Sequence, residues 1–178
     1  SSVETVVNYS KVEHTVNDIY TMAVYLYTED NLGNKTNTTT IRVIQDTNVP
    51  EVSSFKLWNN ALTDEIPSNE QGIASVNVNT IGAKFVVSDS QTGIRKIIIT
   101  SPSEELFADY TNAVLTVDGV QFTQETGTHT QNTFVFNTPL APEQAHEVTV
   151  SGIVLSGEGE ITLQAYASDP TGNTGSPE

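Results

Sequence analysis

The residues best suited to chemistry in this chain are acidic side chains in its polar turns. Calcium takes six to eight oxygen ligands, and turns supply them as carboxylates, Asn amides and backbone carbonyls. Each acid could instead only cap its own turn, because Asp side chains accept hydrogen bonds from nearby backbone amides. The sequence predicts calcium as the cofactor, with these candidate ligands: Glu29, Asp30, Asp46, Asp89 and Asp169.

The order of the predicted strands indicates how these acids could meet. Glu29 and Asp30 lie in the loop after one strand, and the next strand leads to Asp46 at a junction that continues to Pro50. Asp89 and Asp169 each directly follow a strand. In an antiparallel sandwich such turns can share one end of the domain.

The overall charge favours cations as partners. The chain has 22 Asp and Glu against seven Lys and Arg, a formal net charge of −15. Nucleic acid and anionic membranes would be repelled by this surface, whereas a divalent cation would be attracted. The charge could also serve solubility alone.

The chain has no cysteine, so disulfides and thiolate chemistry are excluded. No apolar run approaches the ~18 residues of a membrane helix, so membrane insertion is not expected.

An enzyme is not expected from the remaining chemical groups. His14, His129 and His146 occur in separate segments without the spacing of a zinc motif, so strand or surface positions are predicted for them. No Gly-x-Ser-x-Gly elbow occurs, and no aromatic cluster accompanies a carboxylate pair that could cleave a sugar.

Asn8, Asn34 and Asn37 each begin an Asn-x-Ser/Thr sequence and are candidate glycosylation sites.

A repeated phrase shows which elements position the acids. The run from Val24 to Asn34 returns 139 positions later as the run from Leu163 to Asn173, and each copy closes on Asp-x-x-Gly-Asn. Alternating apolar residues that end in a Gly/Asn turn are typical of a strand followed by a tight loop. Repetition at this distance indicates tandem copies of one β module.

The same alternation predicts an all-β chain with strands every 8–12 residues. A short helix of one or at most two turns is predicted at 103–110, and Asp118-Gly119 predicts a tight hairpin. The predicted strands are 3–9, 19–28, 39–44, 52–58, 73–78, 81–88, 94–100, 115–117, 120–122, 133–136, 146–153 and 160–168.

The strand order divides the chain into two modules that are cut differently. Residues 1–46 hold only the C-terminal strands of a first module, and 47–178 hold a near-complete second sandwich without its last strand. Three strands cannot enclose a core of their own. We therefore expect a segment of a longer protein, or a subunit whose missing strand is supplied by a partner.

The second module resembles the bacterial immunoglobulin-like repeats of large surface adhesins and surface-layer proteins. The resemblance covers 47–178, with 15–46 similar to the tail of a preceding repeat. It is carried by the start Asp46-Thr-Asn-Val-Pro50, by the Ser-Asp-x-x-x-Gly-Ile turn at 88–94, and by the Ala-x-Asp-x-x-Gly-Asn turn at 167–173. The long segment 106–144 and the missing final strand depart from that pattern.

The resemblance implies an Ig-like antiparallel β-sandwich in an extracellular rod, stiffened by calcium at module junctions and contacting neighbouring modules or identical chains. Two alternatives stay open. The chain could be a subunit of an extracellular filament in which neighbouring chains complete each other's sheets. It could also be a carbohydrate-binding sandwich, which an exposed aromatic platform would favour.

Overall fold

The alternation of apolar and polar residues produces antiparallel sheets throughout the part of the chain that can be described. The computed structural model of this protein describes residues 5–13, 20–28, 30–35, 39–102 and 108–178. Within them no segment forms a helix that could span a membrane. The strands are β1 (Thr5–Glu13), β2 (Tyr20–Thr28), β3 (Thr39–Gln45), β4 (Glu51–Asn59), β5 (Thr80–Asp89), β6 (Ile94–Thr100), β7 (Ala108–Asp109), β8 (Val114–Val117), β9 (Val120–Gln121), β10 (Gly127–Thr130), β11 (Thr133–Leu140), β12 (Gln144–Leu155) and β13 (Gln164–Ser168).

The chain forms two units, Ser1–Thr47 and Asn48–Glu178. The first unit contains one antiparallel sheet in the order β1-β2-β3. The second unit contains two sheets. One has the order β4-β5-β12-β8-β9 with β7 beside β12, and the other has the order β10-β11-β6-β13. The all-β class predicted from the sequence is confirmed, and the two sheets are consistent with a β-sandwich.

The core of the second unit is made by the inward faces of these strands. On β5, alternate residues from Ile81 to Val87 are buried, as the period of two requires. Ile97 and Ile99 of β6 and Phe134 of β11 are also fully buried. Burying each such side chain stabilises the fold by about 1.5–3 kcal/mol. This core holds the ends of β5 and β13 in place, and the acidic turns begin there.

The predicted hairpin at Asp118-Gly119 joins β8 to β9. Both residues have positive φ, 50° for Asp118 and 79° for Gly119. That pair of angles is the type I′ turn, which Asp-Gly favours because its twist matches the flanking strands.

Several predicted elements differ from the structure. The strand predicted at 73–78 is wrong: Ile73, Val76 and Val78 are exposed, and only Ala74 forms an isolated bridge, to Ser68. Alternation shows that a segment could lie on a sheet, but these residues find no neighbouring strand. The sequence also missed β7 and β10, which are too short to show a period, and predicted an earlier start for β13. Of the predicted helical turn, 103–107 lie outside the described residues and Ala108–Asp109 forms β7.

Candidate metal centre

The turn that follows β5 is organised around the carboxylate of Asp89. Its Oδ2 accepts hydrogen bonds from the backbone amides of Gln91, Thr92 and Gly93, at 2.9, 2.8 and 2.7 Å. Gly93 has φ of +84°, a conformation that glycine adopts without steric cost. An Asp followed four residues later by Gly therefore folds this turn locally, and three amide dipoles converge on one oxygen.

The other oxygen of Asp89 has no hydrogen-bond partner. Asp89 is only 4% exposed, and its Oδ1 is buried and accepts no hydrogen bond. Leaving a buried polar atom unpaired costs about 1–3 kcal/mol, and more for a charged group. Asp89 Oδ1 is therefore a buried carboxylate oxygen that the hydrogen bonds of its own turn do not explain.

The turn that follows β13 holds a second buried carboxylate in a similar way. Asp169 Oδ1 accepts the amides of Thr171, Gly172 and Asn173 at 2.8, 2.7 and 2.9 Å, and the side-chain amide of Asn173 donates to Oδ2 at 2.7 Å. Asp169 is 2% exposed. The backbone amides of the Asp-x-x-Gly-Asn motif thus hold the Asp169 carboxylate in position.

The third carboxylate is on the segment that leads into the second unit. Asp46 is 8% exposed. Two residues later, the Asn48 side-chain amide donates to Ser90 Oγ at 2.8 Å in the Asp89 turn. Further on, Gly175, beyond the Asp169 turn, lies so near Pro50 that a Cβ on it would be 1.9 Å from the Pro50 carbonyl oxygen. The segment 48–50 is therefore fixed against both turns.

These three buried carboxylates lie together. One oxygen from each of Asp46, Asp89 and Asp169 falls within 4.8 Å of the others. Two oxygens that bind one calcium at 2.3–2.6 Å are at most about 5 Å apart. The spacing fits one calcium ion, with backbone carbonyls or water needed to complete six to eight ligands.

The electrostatics of the cluster also fit a cation. Among the described residues, neither Asp89 nor Asp169 forms an ion pair with Lys, Arg or His. Ionised carboxylates at this spacing repel by about 3 kcal/mol a pair at an effective dielectric constant of 20. Carboxylate oxygens are hard donors of the kind calcium prefers. The residues present therefore fit a bound calcium.

Asp30 has the same local turn but a different environment. Its Oδ1 accepts the amides of Leu32 and Asn34, both at 2.9 Å, and the Asn34 side chain donates to Oδ2 at 2.8 Å. These hydrogen bonds, the Asn34 side chain's first, hold the pKa of Asp30 below its ordinary value. Asp30 is exposed, and among the described residues it joins no acidic cluster. Glu29 lies outside the described residues.

The three glycosylation candidates stay predictions. Asn34 is exposed, and its side chain is engaged with Asp30. Asn8 lies in β1, where only the backbone is described, and Asn37 lies outside the described residues.

A buried His–Asp pair was missed by the sequence analysis, which expected only a strand or surface histidine. His146 is 4% exposed; its Nδ1 lies 2.7 Å from Asp118 Oδ2, and its Nε2 lies 2.9 Å from the Ala141 carbonyl. Both neighbours are acceptors, so only the doubly protonated ring donates at both nitrogens. Burial opposes ionisation of Asp118, but hydrogen bonds from His146 and the Glu147 amide hold its pKa below the ordinary value. The contact between His146 and Asp118 joins β12 to the turn of the β8–β9 hairpin. The other ring nitrogen, Nε2, contacts the Ala141 carbonyl oxygen.

The other histidines are separate from this pair. His129 is half-buried and stacks on Phe134 with ring centroids 4.0 Å apart, and its Nε2 lies 2.7 Å from the Gln131 carbonyl. His14 lies outside the described residues.

A scan against protein-family models and a search of curated proteins each find no match to this chain.

Proposed function

We propose that this chain is a calcium-binding structural segment of an extracellular surface adhesin or surface-layer protein, built from Ig-like β-sandwiches. The observation that carries the proposal is the group of three buried carboxylates, Asp46, Asp89 and Asp169, within 4.8 Å of one another. The orphaned Oδ1 of Asp89 supports a ligand there independently, because no hydrogen bond within the protein accounts for it.

The arrangement gives calcium a structural role. Asp89 and Asp169 are held by amides of their own turns, and Asp46 belongs to the segment that leads into the second unit. A bound ion would tie that segment to the ends of β5 and β13, one strand from each sheet. It would also replace carboxylate repulsion by attraction. Such a cross-link suits a spacer whose purpose is to hold its shape outside the cell.

The carbohydrate-binding alternative gains no support from the aromatic residues. None of the described Phe, Tyr or Trp side chains is exposed. Trp58 is half-buried, and the Lys84 ammonium lies 3.6 Å from its ring centroid, on the face where a sugar would stack.

Thermal unfolding with calcium and magnesium tests the proposal. Binding to the folded state alone stabilises by about 2.7 kcal/mol at a hundredfold excess over Kd, which raises Tm by roughly 5–15 °C. Millimolar calcium should produce such a rise, and Asp46→Ala or Asp169→Ala should blunt it. Magnesium should do less, because it requires a tighter octahedron.

The control is Asp30→Ala, which removes the same type of turn aspartate from outside the cluster. It should leave the calcium-induced rise intact. Equal rises with calcium and magnesium in the parent and in all three variants would mean general charge screening and would overturn the proposal.

A further inference from the structure

A cavity of about 440 Å³ lies in the second unit, between the β8–β9 hairpin and β11. Its apolar walls come from the hairpin, the residue that follows it, and β11: Val117, Val120, Phe122, Phe136 and Leu140. The Phe122 and Phe136 rings are in edge-to-face contact, with centroids 5.3 Å apart. Phe136 is 5% exposed and Val120 is 67% exposed, so the apolar wall extends from the core to solvent. Its volume and apolar walls are typical of sites that bind small molecules.

Several polar groups along this cavity are already used within the protein. Asp118 Oδ2 lies 2.7 Å from His146 Nδ1, and Asp118 Oδ1 accepts the Glu147 amide at 2.9 Å. The Thr126 hydroxyl donates to the Thr123 carbonyl at 3.0 Å. The negative charge of Asp118 is therefore engaged with the protein itself and is not the group that a ligand would meet first.

Glu125 is a second acidic residue of the cavity lining, and its side chain is exposed. Its backbone carbonyl accepts the side-chain amide of Asn137 at 3.0 Å. Within the described part of the chain, its carboxylate forms no ion pair. Arg95 donates to the Asn137 carbonyl at 2.8 Å and does not pair with Glu125. The cavity thus combines an apolar wall with a carboxylate that no neighbouring cation neutralises.

We propose that this cavity binds a small organic ammonium ion, with its apolar body against Val120, Phe122 and Phe136 and its N–H groups donating to the Glu125 carboxylate. Charge complementarity favours this class of ligand, because the lining is acidic and the net charge of −15 repels anions. An exposed ion pair alone contributes little to affinity. Contact with the apolar wall therefore provides most of the affinity, and Glu125 provides the preference for a positive charge. The proposal does not rest on calcium.

Titration of the full chain with three probes of similar shape tests the proposal. The probes are phenethylammonium, phenethyl alcohol and phenylacetate, and the readout is the backbone amide chemical shifts of Val120, Gln121 and Phe136 in calcium-free buffer. The ammonium ion should bind with a Kd in the millimolar range, about threefold more tightly than the alcohol and about tenfold more tightly than phenylacetate. Absence of a saturable shift with the ammonium ion would overturn the proposal. Equal or tighter binding of the alcohol or of phenylacetate would identify a neutral or anionic occupant and would overturn it as well.

Glu125→Gln keeps the shape of the side chain and removes its charge. We expect this variant to bind phenethylammonium about threefold more weakly and to bind phenethyl alcohol as the parent does. The matched control is Glu158→Gln, which removes the same charge from an exposed residue outside the cavity lining. The control should bind all three probes as the parent does. Equal effects of the two substitutions would mean that net charge, and not contact with Glu125, attracts the ligand, which would contradict the proposal.

Val120→Thr tests the apolar wall, because it replaces a methyl group by a hydroxyl group of similar size. Val120 is exposed, so the fold should tolerate the change. The variant should bind the ammonium ion and the alcohol about twofold more weakly, since both lose the same apolar contact. Unchanged affinity for both probes would place their binding site elsewhere and would also overturn the proposal.

Discussion

The two oxygens of the Asp89 carboxylate differ in their hydrogen bonding. Oδ2 accepts three backbone amides, whereas the buried Oδ1 accepts none. A carboxylate whose only task was to cap its turn would need the first oxygen alone, and Asn would serve as well. A negative charge placed beside two further buried carboxylates is costly without a cation. At the residue scale this asymmetry is the observation on which the proposed calcium-binding role of Asp89 rests.

Asp89→Asn separates these two roles. The Asn carbonyl can keep the three amide bonds, and the new amide group replaces the orphaned oxygen and can donate to a neighbouring carboxylate. We expect the metal-free variant to be more stable than the parent, by about 1 kcal/mol, because one repulsive charge is removed. The calcium-induced rise in Tm should disappear. A variant that is less stable without metal yet responds fully to calcium would show that Oδ1 is not a ligand.

The His146–Asp118 pair predicts a pH dependence of stability. The pKa of Asp118 is lower in the folded state than its ordinary value of 3.8. Its contribution is therefore complete above pH 3.8 and is lost as the pH falls through the lowered value. Asp118→Asn should lower the free energy of unfolding at pH 5, with a difference from the parent that shrinks toward pH 2.5. Asn tolerates the positive φ at this position, so the turn is retained.

In a His146→Gln background the same substitution should have a smaller effect with little pH dependence. Urea unfolding at several pH values makes the comparison. A difference between parent and Asp118→Asn that stays constant from pH 5 to 2.5 would contradict an ionic role for the pair.

At the scale of elements, the turn after β5 depends on glycine at position 93. A Cβ on Gly93 would lie 1.9 Å from the Leu140 carbonyl oxygen, and φ is +84°. Gly93→Ala should therefore cost more than the roughly 1–2 kcal/mol of backbone strain alone, and it should weaken the calcium response by displacing Asp89.

Gly172→Ala is the matched control in the other turn. Gly172 also has positive φ, +100°, but a Cβ there would meet nothing within 4 Å. In chemical denaturation, this variant should lose only the free energy of unfolding that backbone strain accounts for. Equal losses at the two positions would mean that close packing of Gly93 on Leu140 is unimportant.

The sequence predicted the longer strands that have sheet partners, missed the short β7 and β10, and predicted a strand at 73–78 where no partner exists. The alternation at Ile81–Val87 is realised because β4 and β12 flank β5. Equal alternation at 73–78 produced no strand, since periodicity does not report whether a neighbour exists. For the site, local turn chemistry was visible at both Asp30 and Asp169. Only tertiary packing decides that Asp169 is buried beside Asp89 while Asp30 is exposed.

For the whole molecule, the net charge of −15 has two components with different consequences. Most acids lie on the surface, where salt screens them and they chiefly provide solubility. Three are buried at one point, where salt screens their mutual repulsion only weakly. The proposed calcium site therefore concerns a small part of the total charge. Net charge alone could not have predicted it.

The most direct measurement is the number of calcium ions bound by the metal-free chain, by isothermal titration calorimetry at physiological ionic strength. We predict one saturable site in the parent chain and in Asp30→Asn, and loss of that site in Asp89→Asn. Absence of saturable binding in the parent, or undiminished binding in Asp89→Asn, would contradict the assignment of calcium to these three carboxylates.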